Sequence, residues 1–338
     1  MACVPYARMR EVFERILLQE GLAREKAIAC AAVLADNTLD GVHSHGVNRF
    51  LQFADRLQSG DMDGSASPEK ISAMGGMEQW DGRNGIGPLN AIAMMDRAMH
   101  LADTHGLGLV ALRNTTHWMR GATYGYQAVE RGYSCICWTN APANMPAWQT
   151  TTEAIGNNPI VMGIAGKEKL VVLDMAMSQY SYGKLETTVG AGEQLSFEGG
   201  YDSQGKLTRD PAEILATKRM LPVGLWKGSG LSIIGDLFVS ALSHGTSTVD
   251  MPAQGERIAQ FFLAIHPGHD ETEREHRKAY VDHVIKTLKA NCMANGEEAL
   301  YPGEGSARRK ARNALLGIEV RDEVWDDILR RRELRIES

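Results

Sequence analysis

Apolar positions recur every three to four residues at both ends of the chain, and alternate or run together in its middle. Met9, Val12, Phe13, Ile16 and Leu17 fall on one helical face, predicting a helix over Tyr6–Gln19, and the Ala-rich stretch Arg24–Leu39 predicts a second. A third is expected over Val47–Gln58, with Leu51, Ala54 and Leu57 on its apolar side and Gly60 beyond its end. After Pro68, β-type runs alternate with helical ones. The pattern predicts a helix over Pro88–Thr104 stopped by Gly106, a strand over Leu107–Leu112, a helix over Ala122–Arg131 and a strand over Tyr133–Thr139. Strands at Ile160–Ile164 and Leu170–Leu173, a helix at Gly230–Ser243 and a strand at Ile258–Ile265 follow. The intervening stretch 186–211 is rich in Gly, Asp and Ser and reads as a long irregular loop that covers something. From Glu271 the chain is charged and helical, over Glu271–Ala290, Ser306–Leu316 and Asp322–Arg332.

This texture predicts an α/β (α+β) protein. A central mixed-sheet α/β domain over 76–271 is clasped by a discontinuous helical domain made of 1–75 with 272–338. At 338 residues the chain is long enough to bury two cores.

Composition narrows the function. With 43% hydrophobic and 23% charged residues the chain sits at the globular average. Its 36 Lys plus Arg against 42 Asp plus Glu leave a net charge of -6, which argues against a nucleic-acid partner. The longest apolar stretch, Ser229 to Leu242, is broken by Asp236, so no membrane span is expected. Arg8, Arg10, Glu11, Glu14 and Arg15 interrupt the place a secretory apolar region would occupy, and a cytoplasmic location is expected. The five cysteines Cys3, Cys30, Cys135, Cys137 and Cys292 form no CxxC pair, which suits a reducing compartment and opposes a disulfide framework or a structural zinc.

The usual nucleotide motifs fail on context. Gly106–Ala111 approximates the glycine-rich dinucleotide turn but opens a strand instead of following one. Gly200–Leu207 approximates a phosphate loop but has Leu207 where a magnesium-binding hydroxyl belongs.

The stretch Asp40–Phe50 (DGVHSHGVNRF) carries the most chemistry. With Ser44 near the N-cap, His45 falls in the first turn of the third helix, and Arg49, four residues on, shares its face. A guanidinium can hold a carboxylate with two hydrogen bonds while an imidazolium reaches the adjacent ketone oxygen, an arrangement suited to a 2-oxo acid. Alternatively both side chains simply decorate a solvated helix face. In the first case the helix N-terminus and Arg49 lower the pKa of His45, so reductive activity is expected to fall as pH rises. A metal site on His43 and His45 is a weaker idea, lacking further ligands; no metal is expected.

Three other clusters stand at predicted strand ends or helix starts. His117, in Arg113–Arg120, can touch substrate or nicotinamide, or be satisfied by local backbone. Asp174, closing the apolar run from Leu170, can accept from an adenosine ribose and disfavour the extra phosphate of NADP, or merely close a turn. Trp226 and Lys227 can present an indole face and a cation where a helix begins.

These residues resemble the type-2 malate/lactate dehydrogenases, whose hallmark SHG-x-x-R stands here as Ser44 to Arg49. The likeness extends through EQWDG (78–82), GLVALRNTTHWMRG (108–121), ICWTN (136–140), DMAMSQYSYG (174–183) and LPVGLWKGSG (221–230), and spans nearly the whole chain. It implies a homodimer with a helical domain built from both chain ends and a central non-Rossmann NAD-binding domain. It further implies NADH-dependent reduction of a sugar-derived 2-oxo acid, NADH being preferred to NADPH. By that likeness His45 is the proton donor, and Arg49 and His117 line the substrate site. Its cofactor segments fall on Leu170, Val171, Val172, Leu173, Asp174, Met175 and Ala176, on Trp226 and Lys227, and on Gly303, Glu304 and Gly305. A malate, lactate or ureidoglycolate dehydrogenase is the alternative within the family, and a non-catalytic metabolite-binding protein the alternative outside it.

Overall fold

The computed structural model describes residues 1–252, 255–290 and 298–333; Cys292 lies outside the described residues. A short strand β1 (Ala2–Val4) precedes helices α1 (Tyr6–Gln19) and α2 (Arg24–Leu39), which have the expected bounds. A separate 3-10 turn, His43–His45, comes before α3 (Val47–Ser59), and Gly60 stops that helix at a φ of 81°, a conformation that favours glycine. The hairpin β2 (Glu69–Met74) and β3 (Met77–Asp81) gave no apolar signal, because every residue of β2 is exposed. Next come α4 (Gly87–His105), β4 (Leu107–Thr115), α5 (Ala122–Val129), β5 (Ser134–Thr139), a small ribbon of β6 (Met145–Pro146) and β7 (Glu153–Ile155), then β8 (Ile160–Ala165) and β9 (Leu170–Met175).

The stretch expected as an irregular loop is only partly one. Helix α6 (Tyr182–Gly190) occupies its first residues, capped by the Ser181 hydroxyl, and a two-residue ribbon of β10 (Gly200–Tyr201) and β11 (Leu207–Thr208) lies in its second half. Helices α7 (Pro211–Thr217) and α8 (Trp226–Ser243), strand β12 (Ile258–Ile265), helix α9 (Glu271–Ala290), helix α10 (Glu304–Leu316), strand β13 (Ile318–Val320) and helix α11 (Asp322–Glu333) complete the chain.

The central sheet is mixed, in the order β2-β3-β4-β12-β5-β8-β9. Only the β3–β4 pairing is parallel. Successive side chains of a strand face opposite ways, so Phe261 and Phe262 of β12 enter different cores. Phe262 joins Met94, Trp118 and Tyr124 under α4 and α5; Phe261 joins Trp138, Met177 and Met220 on the other face. A further core is drawn from both chain ends. There β1 pairs with β13, Phe13 stacks on Phe50 with ring centroids 3.9 Å apart, and Trp325 and Ile328 close over them. Helix α9 docks on the β8–β9 turn, where Asp282 Oδ2 accepts from the backbone N–H groups of Lys167 (3.0 Å) and Glu168 (3.1 Å). Among the described residues no helix is long and apolar enough to cross a membrane.

Candidate active site

The loop carrying His45 is clamped onto α2. Thr38 Oγ1 accepts from Val47 N–H, the first of α3, at 2.9 Å, and donates to Leu34 O at 2.7 Å. Asn37, fully buried, donates to His45 O at 2.9 Å and accepts from Thr123 Oγ1 at 3.0 Å, so α2 and α5 together fix the His45 backbone. Ser44 is not the helix cap expected from the sequence; Gly46 holds that position, and His45 sits in the 3-10 turn before it. The Ser44 hydroxyl instead lies 3.0 Å from His45 Nδ1. Gly46 is needed for close approach, since a Cβ there would come within 2.2 Å of Thr38 Oγ1 and 2.8 Å of Leu34 O. Gly46→Ala is therefore expected to push α3 from α2 and cost roughly 1–3 kcal/mol of stability. Thermal melting beside Gly190→Ala, whose Cβ would meet nothing within 4 Å, checks this; equal melting of the two variants would refute it.

His117 faces His45 across a stacked pair of rings, with centroids 5.6 Å apart and planes 19° apart. Met119 N–H donates to His117 Nδ1 at 3.0 Å, which leaves the neutral ring its proton on Nε2. His117 N–H in turn donates to Glu256 Oε2 (2.8 Å), a carboxylate also paired with Arg56 at 2.7 Å. Arg49 and His117 line one small chamber of about 50 Å³, with Phe53, Met62 and Met119 in its wall. Arg49 donates to Gln52 Oε1 at 2.6 Å and has no carboxylate partner among the described residues. His117 thus adjoins His45 through the stacked rings and Arg49 through the chamber, while His45 itself does not line that chamber and stands just ahead of α3.

Burial first, then the neighbouring charges of His117, Arg49 and Arg120, push His45 down to about 3. His117 is lowered as well, by burial above all, with Arg49 and Arg56 adding to the effect and Glu256 opposing it. Both rings are neutral at pH 7. The direction expected for His45 holds, but burial outweighs Arg49 as its cause.

The sequence reading missed the polar lock behind the turn. Arg120 and Asp40, both nearly inaccessible, form an ion pair. Arg120 Nη2 donates to Ser306 Oγ at 2.9 Å, and that hydroxyl donates to Asp40 O at 3.1 Å. The lock joins the ends of the chain to its middle across sequence separations that no local pattern reveals. Asn37 and Glu256 were missed for the same reason.

Two of the three segments assigned to a cofactor meet along the outer edge of β9, a terminal strand of the sheet, and the third lies beyond its end. Val172 N–H donates outward to Pro302 O at 3.2 Å, so strand alternation turns the backbone of Leu170 and Asp174 outward as well, and that of Val171, Leu173 and Met175 toward β8. Gly303 sits so close that a Cβ would lie 2.8 Å from Tyr126 Oη. Just beyond Met175 and Ala176, Met177 O accepts from Val223 N–H (2.7 Å), which brings the start of α8, with exposed Trp226 and Lys227, beside β9. Asp174 Oδ2 accepts from Ala122 N–H at the start of α5 (2.8 Å). Glu304 is buried and committed to Lys289 and Arg308, each at 2.7 Å; Gly305 follows it in α10. Gly183 of α6 abuts Ser44, linking this edge to the histidine turn. Among the described residues no three His, Cys, Asp or Glu side chains gather as a metal site, the His43–His45 turn included.

The chain is similar to known proteins in both sequence and fold. A family profile described as malate/L-lactate dehydrogenase matches residues 4–329. The chain is 42% identical over 329 residues to the 2,3-diketo-L-gulonate reductase of Citrobacter koseri, covering 96% of this chain and 98% of that protein. A malate dehydrogenase from Entamoeba histolytica superposes with a TM-score of 0.94 at 24% identity, covering 99% of this chain and 98% of that one. A malate dehydrogenase from Pyrococcus horikoshii superposes at 0.90 with 26% identity, covering 99% and 95%.

Proposed function

The chain belongs to the malate/L-lactate dehydrogenase family, and from that premise we propose that it is an NADH-dependent reductase of a sugar-derived 2-oxo acid, taking 2,3-diketo-L-gulonate to 3-dehydro-L-gulonate. Membership makes it an oxidoreductase of 2-hydroxy acids with a nicotinamide cofactor. The substrate is the one its 42% identical relative is named for. The observation that carries the reading is Arg49, free of any carboxylate among the described residues, in the same chamber as His117, whose ring stacks on that of His45.

In this mechanism Arg49 grips the substrate carboxylate with two parallel hydrogen bonds. That neutralises the cation which helps depress His45, so substrate binding itself favours protonation of the ring. His45 then gives its proton to the C2 keto oxygen, and His117 offers Nε2–H to the same end of the substrate. A bound reduced nicotinamide supplies the hydride that C2 receives.

The residues around β9 fit such a group. The outward-turned backbone of Leu170 and Asp174 and an exposed indole at Trp226 suit an extended dinucleotide. This seat comprises Leu170 to Ala176, Trp226 with Lys227, and Gly303 to Gly305. The carboxylate of Asp174 supports NADH over NADPH. A sheet antiparallel in every pairing but one supports a mode of binding other than the Rossmann one. The core drawn from both chain ends supports the division into 1–75 with 272–338 and 76–271. Leu231, Ile234, Leu237 and Phe238 expose an apolar stripe on α8 that supports a homodimer, and Cys3, Cys30, Cys135 and Cys137, none of them in a disulfide, suit the cytoplasm.

Following NADH absorbance with a panel of 2-oxo acids tests the proposal. Turnover is expected, fastest with 2,3-diketo-L-gulonate. Binding of NADH without turnover of any acid would instead favour a non-catalytic binder.

A further inference from the structure

Two hollows share one wall. Gln52, Arg56 and Glu256 face both the small chamber of Arg49 and His117 and a larger one of about 660 Å³. The inner chamber, at about 50 Å³, is much the smaller of the two. On the reductase reading the carboxylate gripped by Arg49 lies here, and the larger hollow across the shared wall is the space nearest to it for the rest of a six-carbon acid.

The outer wall is mixed, with Pro142, Ala143, Val249 and Met251 beside its polar groups, and its charge is unbalanced. Arg56 is already paired with Glu256 at 2.7 Å, whereas Asp61 and Glu153 form no ion pair among the described residues. Gln52 and Thr248 add further polar groups. Free carboxylates accept hydrogen bonds from hydroxyl groups and repel another carboxylate.

We infer that this outer hollow is the seat of the substrate's tail, and that Asp61 and Glu153 select an uncharged hydroxylated tail over one that ends in a second carboxylate. The inference rests on the reductase reading above and names the residues that would separate this enzyme from a malate-type relative. Selection against the wrong acid comes from repulsion as much as from new contacts.

The test compares kcat/KM for 2,3-diketo-L-gulonate and for oxaloacetate in the full-length enzyme with NADH. In the Asp61→Asn, Glu153→Gln double variant the ratio of the two is expected to fall by about tenfold or more, with the oxaloacetate value rising. Glu153→Lys is expected to raise oxaloacetate reduction further, and serves if the double variant fails to fold. Melting temperature and NADH affinity show whether each variant is folded. A ratio within about twofold of the parent in folded variants overturns the assignment of the outer hollow while leaving the reductase reading intact. A parent enzyme that reduces no 2-oxo acid overturns both.

Discussion

Replacing His45 by Gln is expected to lower the rate of 2-oxo acid reduction by about 10²–10⁴-fold at saturating substrate while NADH still binds. Glutamine keeps a polar group of similar reach but carries no transferable proton. The pH dependence gives the same hypothesis a sharper form. The slope of kcat/KM reports the free enzyme, in which His45 is pushed down to about 3 by burial and by His117, Arg49 and Arg120. From pH 6 to 8 the protonated fraction falls about tenfold per unit, and reductive kcat/KM is expected to fall with it. Oxidation of the hydroxy acid, which needs the neutral ring as base, is expected to show no such fall. A Gln variant at the parent rate, or a reductive profile flat across neutral pH, ends the proton-donor assignment.

Folding is linked to the same proton. The unfolded chain takes it up near pH 6.5 and the folded chain only near 3, so this group favours the native state above that window. Stability is therefore lost as pH falls through it, by about 1.4 kcal/mol per unit, and His45→Gln is expected to blunt that acid sensitivity. Urea unfolding of parent and variant between pH 4 and 7 measures the difference.

Elements with strong periodicity were legible before any coordinates. The apolar residues Met9, Val12, Phe13, Ile16 and Leu17 of α1 are the buried ones, and β12 has the bounds its apolar run implied. The hairpin β2–β3 was not legible, because a strand exposed along its length carries no burial pattern. The His45 turn was half legible. Its residue types pointed to a carboxylate and a keto group, but capping rules put His45 inside the helix. The close packing of Gly46 on Thr38, a tertiary fact, puts it just ahead of α3, before the cap. The residues that hold the turn, Asn37, Arg120 and Ser306, are far apart in sequence and belong to no local motif, so only the folded chain brings them together.

Arg120→Met is expected to cost about 3–5 kcal/mol of stability, more than any surface substitution in this chain. Arg120 and Asp40 are both nearly inaccessible, and methionine leaves the Asp40 carboxylate buried with Lys310, at 3.6 Å, as its one remaining ion-pair partner among the described residues, Arg309 being held on the Asp40 carbonyl at 3.3 Å. Ser306 loses the Arg120 donor it now accepts from, and with it goes a tie between α10 and the turn that carries His45. The variant also carries a signature that loss of stability alone does not produce. Arg120 is one of the cations that depress His45, so its removal should raise the pKa of that ring. Under conditions where the variant remains folded, the fall of reductive kcat/KM with pH is expected to begin at a higher pH than in the parent. The double variant Arg120→Met, Asp40→Asn is expected to recover part of the stability, because no unpaired charge is left buried. A melting temperature unchanged by Arg120→Met would show that the ion pair is dispensable, and an unshifted pH profile in the folded variant would show that its charge does not reach His45.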